Sequence, residues 1–242
     1  MKNPSSSTVL VMGRNTVREV FRAQPERIKR IFSTKDPEEN AFVKELQEAG
    51  KPIRQMSEKA LTSLLNSDSH QGIAAELKPR NHPDLKEFLK EEREKSLVLV
   101  LDSIFDPQNF GTILRAGECF GADAALYSKN RGASITPAVT KASVGASELM
   151  PLIVVSNLAE AVRKLQDAGY FVVVAAVGAE AKNALEFDFP SKTALILGSE
   201  GKGVQPLVAK MADAALYIPM KGKIDSLNVS QAAAVFCALY RK

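Results

Sequence analysis

Residues 97–101 read LVLVL, residues 170–177 YFVVVAAV and residues 193–197 TALIL, and none of these runs alternates between apolar and polar side chains. A strand with one wet face alternates, so runs of this kind demand cover on both faces, the setting of a parallel sheet between two layers of helix. Residues 124–127 and 152–155 read as further strands. Helical spacing returns between the strands: Ile113, Leu114, Gly117 and Phe120 share one packing face, and residues 159–168 form another helix. The expected fold is α/β, with a mostly parallel sheet flanked by helices over residues 97–242. At 242 residues and 45% hydrophobic content the chain has material for that core and for a second, smaller one.

The smaller domain is expected over residues 1–80. A polar, Ser-rich stretch at residues 1–7 reads as a frayed end. Strands at 8–12, 28–32, 52–55 and 72–77 then alternate with helices, the first capped by Asn15 or Thr16 and carrying Val17, Val20 and Phe21, the others at 37–50 and 57–65. Residues 81–96 change character: they are mostly charged, with Leu85, Phe88 and Leu89 as the only apolar stripe, and read as a linker with a short exposed helix.

The formal charge of +4 is unevenly spread: residues 1–35 hold eight Lys or Arg against two acids. A solvated face is the ordinary reading of such a cluster and a phosphate-contacting face the sharper one, with Arg14, Arg18, Arg22 and Lys29 as candidate RNA-binding residues. No apolar run near the amino terminus is long enough for a signal peptide or a membrane span, so a cytoplasmic protein with no membrane partner is expected. Cys119 and Cys237 each fall inside an apolar helical pattern and read as small core residues rather than a disulfide or a nucleophile. No Cys or His cluster has metal-ligand spacing, so no metal is expected.

Several familiar sites do not fit. The glycine-rich GSEGKG at 198–203 lacks the Lys-Ser or Lys-Thr ending of a P-loop, and it follows a late strand rather than opening a dinucleotide fold. Ser199 and Ser226 have no histidine nearby to act as base, since His70 and His82 lie in or beside the first domain; His70 reads as a surface or hydrogen-bonding residue. What remains is Asn109 and Arg115, about a turn and a half apart at a helix start, Glu200 in the glycine loop, and Ser226 with Asn228 before the last helix. Each has an ordinary explanation, Asn109 as a helix cap and the others as loop or surface polarity. They follow three different apolar strands, however, and loops at the carboxyl ends of parallel strands meet where backbone groups have no ladder partner.

The stretches DPQNFGTILRAGECFGAD, LILGSEGKGV and IPMKGKIDSLNVSQAAAV resemble the three ordered motifs of the SpoU (TrmH-like) ribose methyltransferases of the SPOUT superfamily. TKASVGASELMPL and HQGIAAELKP resemble the bacterial members that methylate a guanosine ribose in large-subunit ribosomal RNA. The resemblance implies a carboxyl-terminal domain with a trefoil knot around S-adenosylmethionine, a small amino-terminal RNA-binding domain, and a homodimer with its pocket near the subunit interface. It implies methyl transfer to a ribose 2'-hydroxyl, in 23S ribosomal RNA by preference, with transfer RNA or a non-catalytic RNA-binding protein of the same fold as alternatives. Residue by residue, Arg115 matches the arginine assigned to the ribose hydroxyl, and Asn109, Glu200, Ser226 and Asn228 the polar residues around it. Gly198, Ile218 and Leu227, with Gly201 and Met220 beside them, match the cofactor pocket. Ala116 and Gly117 depart from the usual Ser or Thr followed by Ala, which leaves the helix surface small. A guanidinium normally keeps its proton, so Arg115 is expected to act either as an unusual base or as a cation beside the developing alkoxide, oriented by Glu200 and Asn109, while Ser226 and Asn228 hold the ribose or the loop.

Overall fold

The computed structural model describes residues 8–242, and the Ser-rich stretch 1–7 lies outside them. The chain forms two compact units: the described residues up to Asn81 together with Ile135–Leu149, and His82–Ser134 together with Met150–Lys242.

The first unit is built on strands β1 (Val9–Met12), β2 (Ile28–Ser33), β3 (Ile53–Gln55) and β4 (Ile73–Leu77), in spatial order β1-β4-β2-β3. The central β4 runs antiparallel to β1 and β2, whereas β3 is parallel to β2. Successive side chains on a strand point to opposite faces, so neighbours part company. Val11, Ile31 and Ala75 join one core with Val17 and Val20 of α1 (Arg14–Ala23) and with Phe42 and Leu46 of α2 (Ala41–Glu48). Met12, Phe32 and Ala74 join the other, with Leu61 and Leu65 of α3 (Glu58–Leu65). Asn40 and Ser57 cap α2 and α3 through their side chains, but α1 starts at Gly13 with no side-chain cap, which places the expected caps Asn15 and Thr16 inside the helix.

In the second unit, Asp84 and Glu87 form a capping box that starts α4 (Leu85–Lys90). This helix is not exposed as its charge suggested: Leu85 and Phe88 are buried in the core of the unit, because three apolar residues on one turn outweigh a charged outer face. β5 (Ser96–Asp102) is buried along its whole length, and α5 (Pro107–Cys119) and β6 (Ala124–Ser128) follow it. The short helices α6 (Pro137–Ala142) and α7 (Ala146–Leu149) belong to the first unit. There Glu148 receives the guanidinium of Arg27 at 2.8 Å, with both side chains at most 10% exposed, and its carbonyl accepts from Arg80 at 2.7 Å. One of the eight basic residues near the amino terminus is therefore internal, and a charge held this deep cannot meet phosphate.

The second unit resumes with β7 (Leu152–Val155), α8 (Leu158–Asp167), β8 (Phe171–Ala175), β9 (Lys182–Asn183), β10 (Lys192–Gly198), α9 (Pro206–Ala209), β11 (Ala214–Tyr217) and α10 (Val229–Arg241). Its seven strands lie in the order β7-β6-β5-β10-β8-β11-β9, every neighbouring pair parallel. Val98, Val100, Ala194 and Ile196 face α8, while Leu99 faces α5, where a Cβ on Gly117 would lie 2.6 Å from its Cδ1. This two-sided cover is what the unalternating runs require. Among the described residues no helix is long and apolar enough to cross a membrane. Cys237 is buried, as its pattern suggests; Cys119, in the last turn of α5, is exposed.

Candidate active site

β5 and β10 pair in register from Ser96 and Lys192 to Asp102 and Gly198, so both strands end at the same height. From β5 the chain moves outward to β6 and β7, whereas β10 inserts between β5 and β8. This is a switch point in strand order, where loops at the carboxyl ends diverge and leave a crevice. A cleft of about 810 Å³ occupies that end of the sheet, walled by the loop after β10, the end of β8, the segment after β11 and the start of α10. The volume lies within the range of small-molecule sites.

The loop after β10 folds back on itself: Ser199 donates its N–H to the Gly203 carbonyl at 3.1 Å and accepts from the Gly203 N–H at 2.9 Å. The return strand passes so close that a Cβ on Gly198 would lie 2.3 Å from the Gly203 carbonyl carbon. Only glycine can stand there, and the backbone groups of residues 198–203 thereby become a wall of the cleft. The loop is anchored at its far end by the buried Asp102, whose carboxylate accepts the Gln205 N–H at 2.7 Å, the Gln205 side-chain amide at 2.6 Å and the Ser103 hydroxyl at 3.0 Å. Arg131 donates to the same Gln205 side chain. Asp102 and Gln205 were not singled out in the sequence; the only sign of them there is an acid closing an otherwise apolar strand.

Every candidate cofactor residue, Gly198, Gly201, Ile218, Met220 and Leu227, lines this cleft, and so do Glu200, Ser226 and Asn228. Asn109 joins them from the first turn of α5. It does not cap that helix, because Asp106, followed by Pro107, takes the cap and accepts the Gln108 N–H. Asn109 is thus released: its amide donates to Glu200 Oε1 at 3.2 Å, and its Oδ1 accepts from the Asn228 amide at 2.9 Å. Asn228 also donates to Glu200 Oε1, and its own Oδ1 caps α10 through the N–H and hydroxyl of Ser230 at 2.8 and 2.6 Å. Three residues separated by most of the domain sequence are therefore held in one network, with a carboxylate as the shared acceptor. The Ser226 hydroxyl donates to Asp225 at 3.2 Å, leaving Ser226 at the mouth.

Arg115 is the exception. It is exposed, makes no hydrogen bond or ion pair among the described residues, and is absent from the lining of the cleft. At 100° per residue it projects roughly 120° around the α5 axis from Asn109. Within one chain Glu200 and Asn109 orient Asn228, not Arg115. In the first unit, Arg14 and Arg18 hold their guanidiniums 5.9 and 4.8 Å from the centre of the Phe42 ring, Arg22 pairs with Glu19 at 3.3 Å, and Lys29 is half-buried on β2.

The cleft fits S-adenosylmethionine. Leu216, Ile218, Leu227 and Phe236 supply apolar surface for an adenine ring, the loop 198–203 offers backbone donors and acceptors, and Glu200 and Asp225 bring negative charge to the lining. The polar rim of Asn109, Glu200, Asn228 and Ser226 suits a hydroxyl-bearing acceptor. Comparison with known proteins points the same way. Residues 96–238 match the model of the SpoU rRNA Methylase family, and residues 10–83 that of RNA 2'-O ribose methyltransferase substrate binding. A 23S rRNA (guanosine-2'-O-)-methyltransferase of Photobacterium profundum is 35% identical over 95% of both chains. The enzyme of the same name from Haemophilus ducreyi is 34% identical over 93% of this chain and 94% of its own. The fold is shared with the AdoMet-bound rRNA methyltransferase of Sinorhizobium meliloti, at a TM-score of 0.75 and 21% identity over 97% of this chain and 87% of that one. The chain belongs to the SpoU rRNA methylase family and is an S-adenosylmethionine-dependent RNA 2'-O-methyltransferase.

Proposed function

We propose that this protein methylates the 2'-hydroxyl of a guanosine ribose in 23S ribosomal RNA, with residues 1–80 engaging the RNA and residues 97–242 carrying out the transfer. The observation that carries this reading is the network of Asn109, Glu200 and Asn228 at the rim of a cleft whose wall admits only glycine at position 198. S-adenosylmethionine, when bound, supplies an activated methyl group on a sulfonium. The protein then has to bring a ribose hydroxyl into line with that methyl and take up or offset its negative charge. Asn228, fixed from both sides, and Ser226 at the mouth are placed to hold the sugar. Glu200, with one oxygen committed to two amides, fixes the pair. The trefoil knot of the family belongs to the same reading, with the stretch 198–204 and the stretch 218–228 as its crossing segments.

Arg115 fits this scheme through a homodimer. An exposed arginine with no partner, turned away from Asn109, is available to the cleft of a second copy, where its charge would meet the RNA phosphate or the developing alkoxide. The function is tested by incubating the protein and tritiated S-adenosylmethionine with transcripts of 23S rRNA fragments and with transfer RNA, then mapping ribose methylation by resistance to alkaline cleavage. A single modified guanosine in the ribosomal transcript is the expected result. Modification of transfer RNA alone would transfer the reading to that substrate, and cofactor binding without transfer to either RNA would defeat it.

A further inference from the structure

The first unit holds a concavity that the methyl-transfer site does not use. Its volume is about 320 Å³, and Arg14, Asn15, Lys35, Asn40, Phe42 and Gln71 line it. No Asp or Glu is among its lining residues, whereas two cations are, so it attracts an anion. It is several times larger than a phosphate needs and sits at the small end of ligand pockets.

The polar groups around it have their acceptors occupied and their donors open. Asn40 Oδ1 accepts the N–H groups of Phe42 and Val43 at 3.1 and 3.3 Å, leaving its amide hydrogens without a protein partner among the described residues. Gln71 Oε1 accepts the Arg14 N–H at 3.1 Å and leaves its amide in the same condition. The guanidinium of Arg14 lies over the Phe42 ring, which gives the pocket a flat cation with an outer face. The backbone here is locked in place. Gln71 stands at φ +56° and Gly72 at +75°, and a Cβ on Gly72 would lie 2.6 Å from Thr34 Oγ1. The buried His70 closes the turn, its Nδ1 accepting the Gly72 N–H at 3.0 Å and its Nε2 bonded to Thr62 Oγ1 at 2.9 Å. The His-Gln-Gly of the HQGIAAELKP stretch thus builds a wall, with His70 and Gly72 holding Gln71 in place.

We propose that this pocket binds one unstacked nucleotide of the RNA substrate, its phosphate on Arg14 and Lys35 and its base edge on the amides of Asn40 and Gln71. Single-stranded segments are where proteins read RNA, because a splayed base can stack on a guanidinium plane and offer its edge. A site of open donors matches bases presenting acceptors there, as guanine does with O6 and N7. Arg22, paired with Glu19, and Lys29 do not line the pocket. The proposal rests on the RNA methyltransferase reading for the identity of the polymer only.

The test uses the full chain, a fluorescein-labelled single-stranded hexanucleotide of alternating G and U, and a blunt duplex RNA. The doubly reversed variant Arg14→Glu/Lys35→Glu should bind the hexanucleotide about 10-fold more weakly, with the slope of log affinity against log salt smaller by about 1.4, and the duplex less than about 2-fold more weakly. Gln71→Asn, which tolerates the left-handed backbone but shortens the reach, should lose roughly 5-fold for the hexanucleotide with the salt slope unchanged. Both variants should bind S-adenosylmethionine as the parent does. Equal losses for hexanucleotide and duplex, or no loss in either variant, would overturn the pocket and leave the methyltransferase reading standing. A parent chain that binds the hexanucleotide through these residues but transfers no methyl group would do the reverse.

Discussion

At Gly198 the difference between hydrogen and methyl decides whether the cleft has its wall. A Cβ there would stand 2.3 Å from one backbone atom of the returning loop and 2.4 Å from another, and neither is a side chain that can swing aside. Gly198→Ala should therefore displace residues 199–203 and weaken S-adenosylmethionine roughly 10-fold or more by calorimetry, with a much smaller effect on the melting temperature of this surface loop. An unchanged affinity would mean that the loop does not form the cofactor wall. The cysteines separate in the same way, by what surrounds them. Burial pushes the Cys237 thiol up to about 12, whereas Cys119 lies exposed at the end of α5. A thiolate is the reactive form, so a maleimide at neutral pH should label one site per folded chain, and peptide mapping should find it at Cys119. The sequence pattern treated the two alike because both occur among apolar helical neighbours; the three-dimensional difference is that Cys237 faces the sheet and Cys119 does not. Asn109 shows the opposite kind of misreading. Its residue type suits a helix cap, but Asp106-Pro107 outcompetes it, and the displaced side chain becomes part of the site.

Among the elements, the strands of the large sheet were legible because burial on both faces leaves an unbroken apolar signature, and β5 and β10 emerge almost where residues 97–101 and 193–197 put them. α4 was legible as a helix but not as a buried one, since a count of its charges hides the single turn that carries Leu85 and Phe88. The pairing of β10 between β5 and β8 was not legible at all: nothing local in TALIL selects its neighbours. That order is what brings the loop after β10 beside the end of β5, and Asp102 fastens the two. Replacing Asp102 with Ala leaves two Gln205 donors and one hydroxyl without their acceptor, which should cost about 3 kcal/mol in urea denaturation. Because Gln205 directly follows the glycine loop, the same variant should also bind S-adenosylmethionine more weakly. A stability loss with cofactor affinity intact would separate the anchor from the site; no loss of either would show that solvent replaces the carboxylate freely.

For the whole molecule, the question is whether one chain contains a complete active site. The cleft, the glycine loop and the network of Asn109, Glu200 and Asn228 belong to a single chain, but the arginine that the family resemblance assigns to the ribose hydroxyl is turned away from them. A two-fold dimer would resolve this if each cleft received the other chain's Arg115, and the consequence is a complementation experiment. Arg115→Ala removes the donated cation but leaves its own cleft intact; Gly198→Ala damages its own cleft but still donates an arginine. Each variant alone should be close to inactive. Co-expressed in equal amounts and paired at random, half of the dimers are mixed, and each mixed dimer has one cleft with both an intact wall and an incoming Arg115, so activity should return to roughly a quarter of the parent rate. Native mass spectrometry must show the mixed dimer in the same sample. If the mixed dimer forms and methyl transfer stays at the level of the single variants, Arg115 does not act across the interface. Full activity in Arg115→Ala alone would remove it from the reaction altogether and leave the rim residues of one chain to perform the transfer unaided.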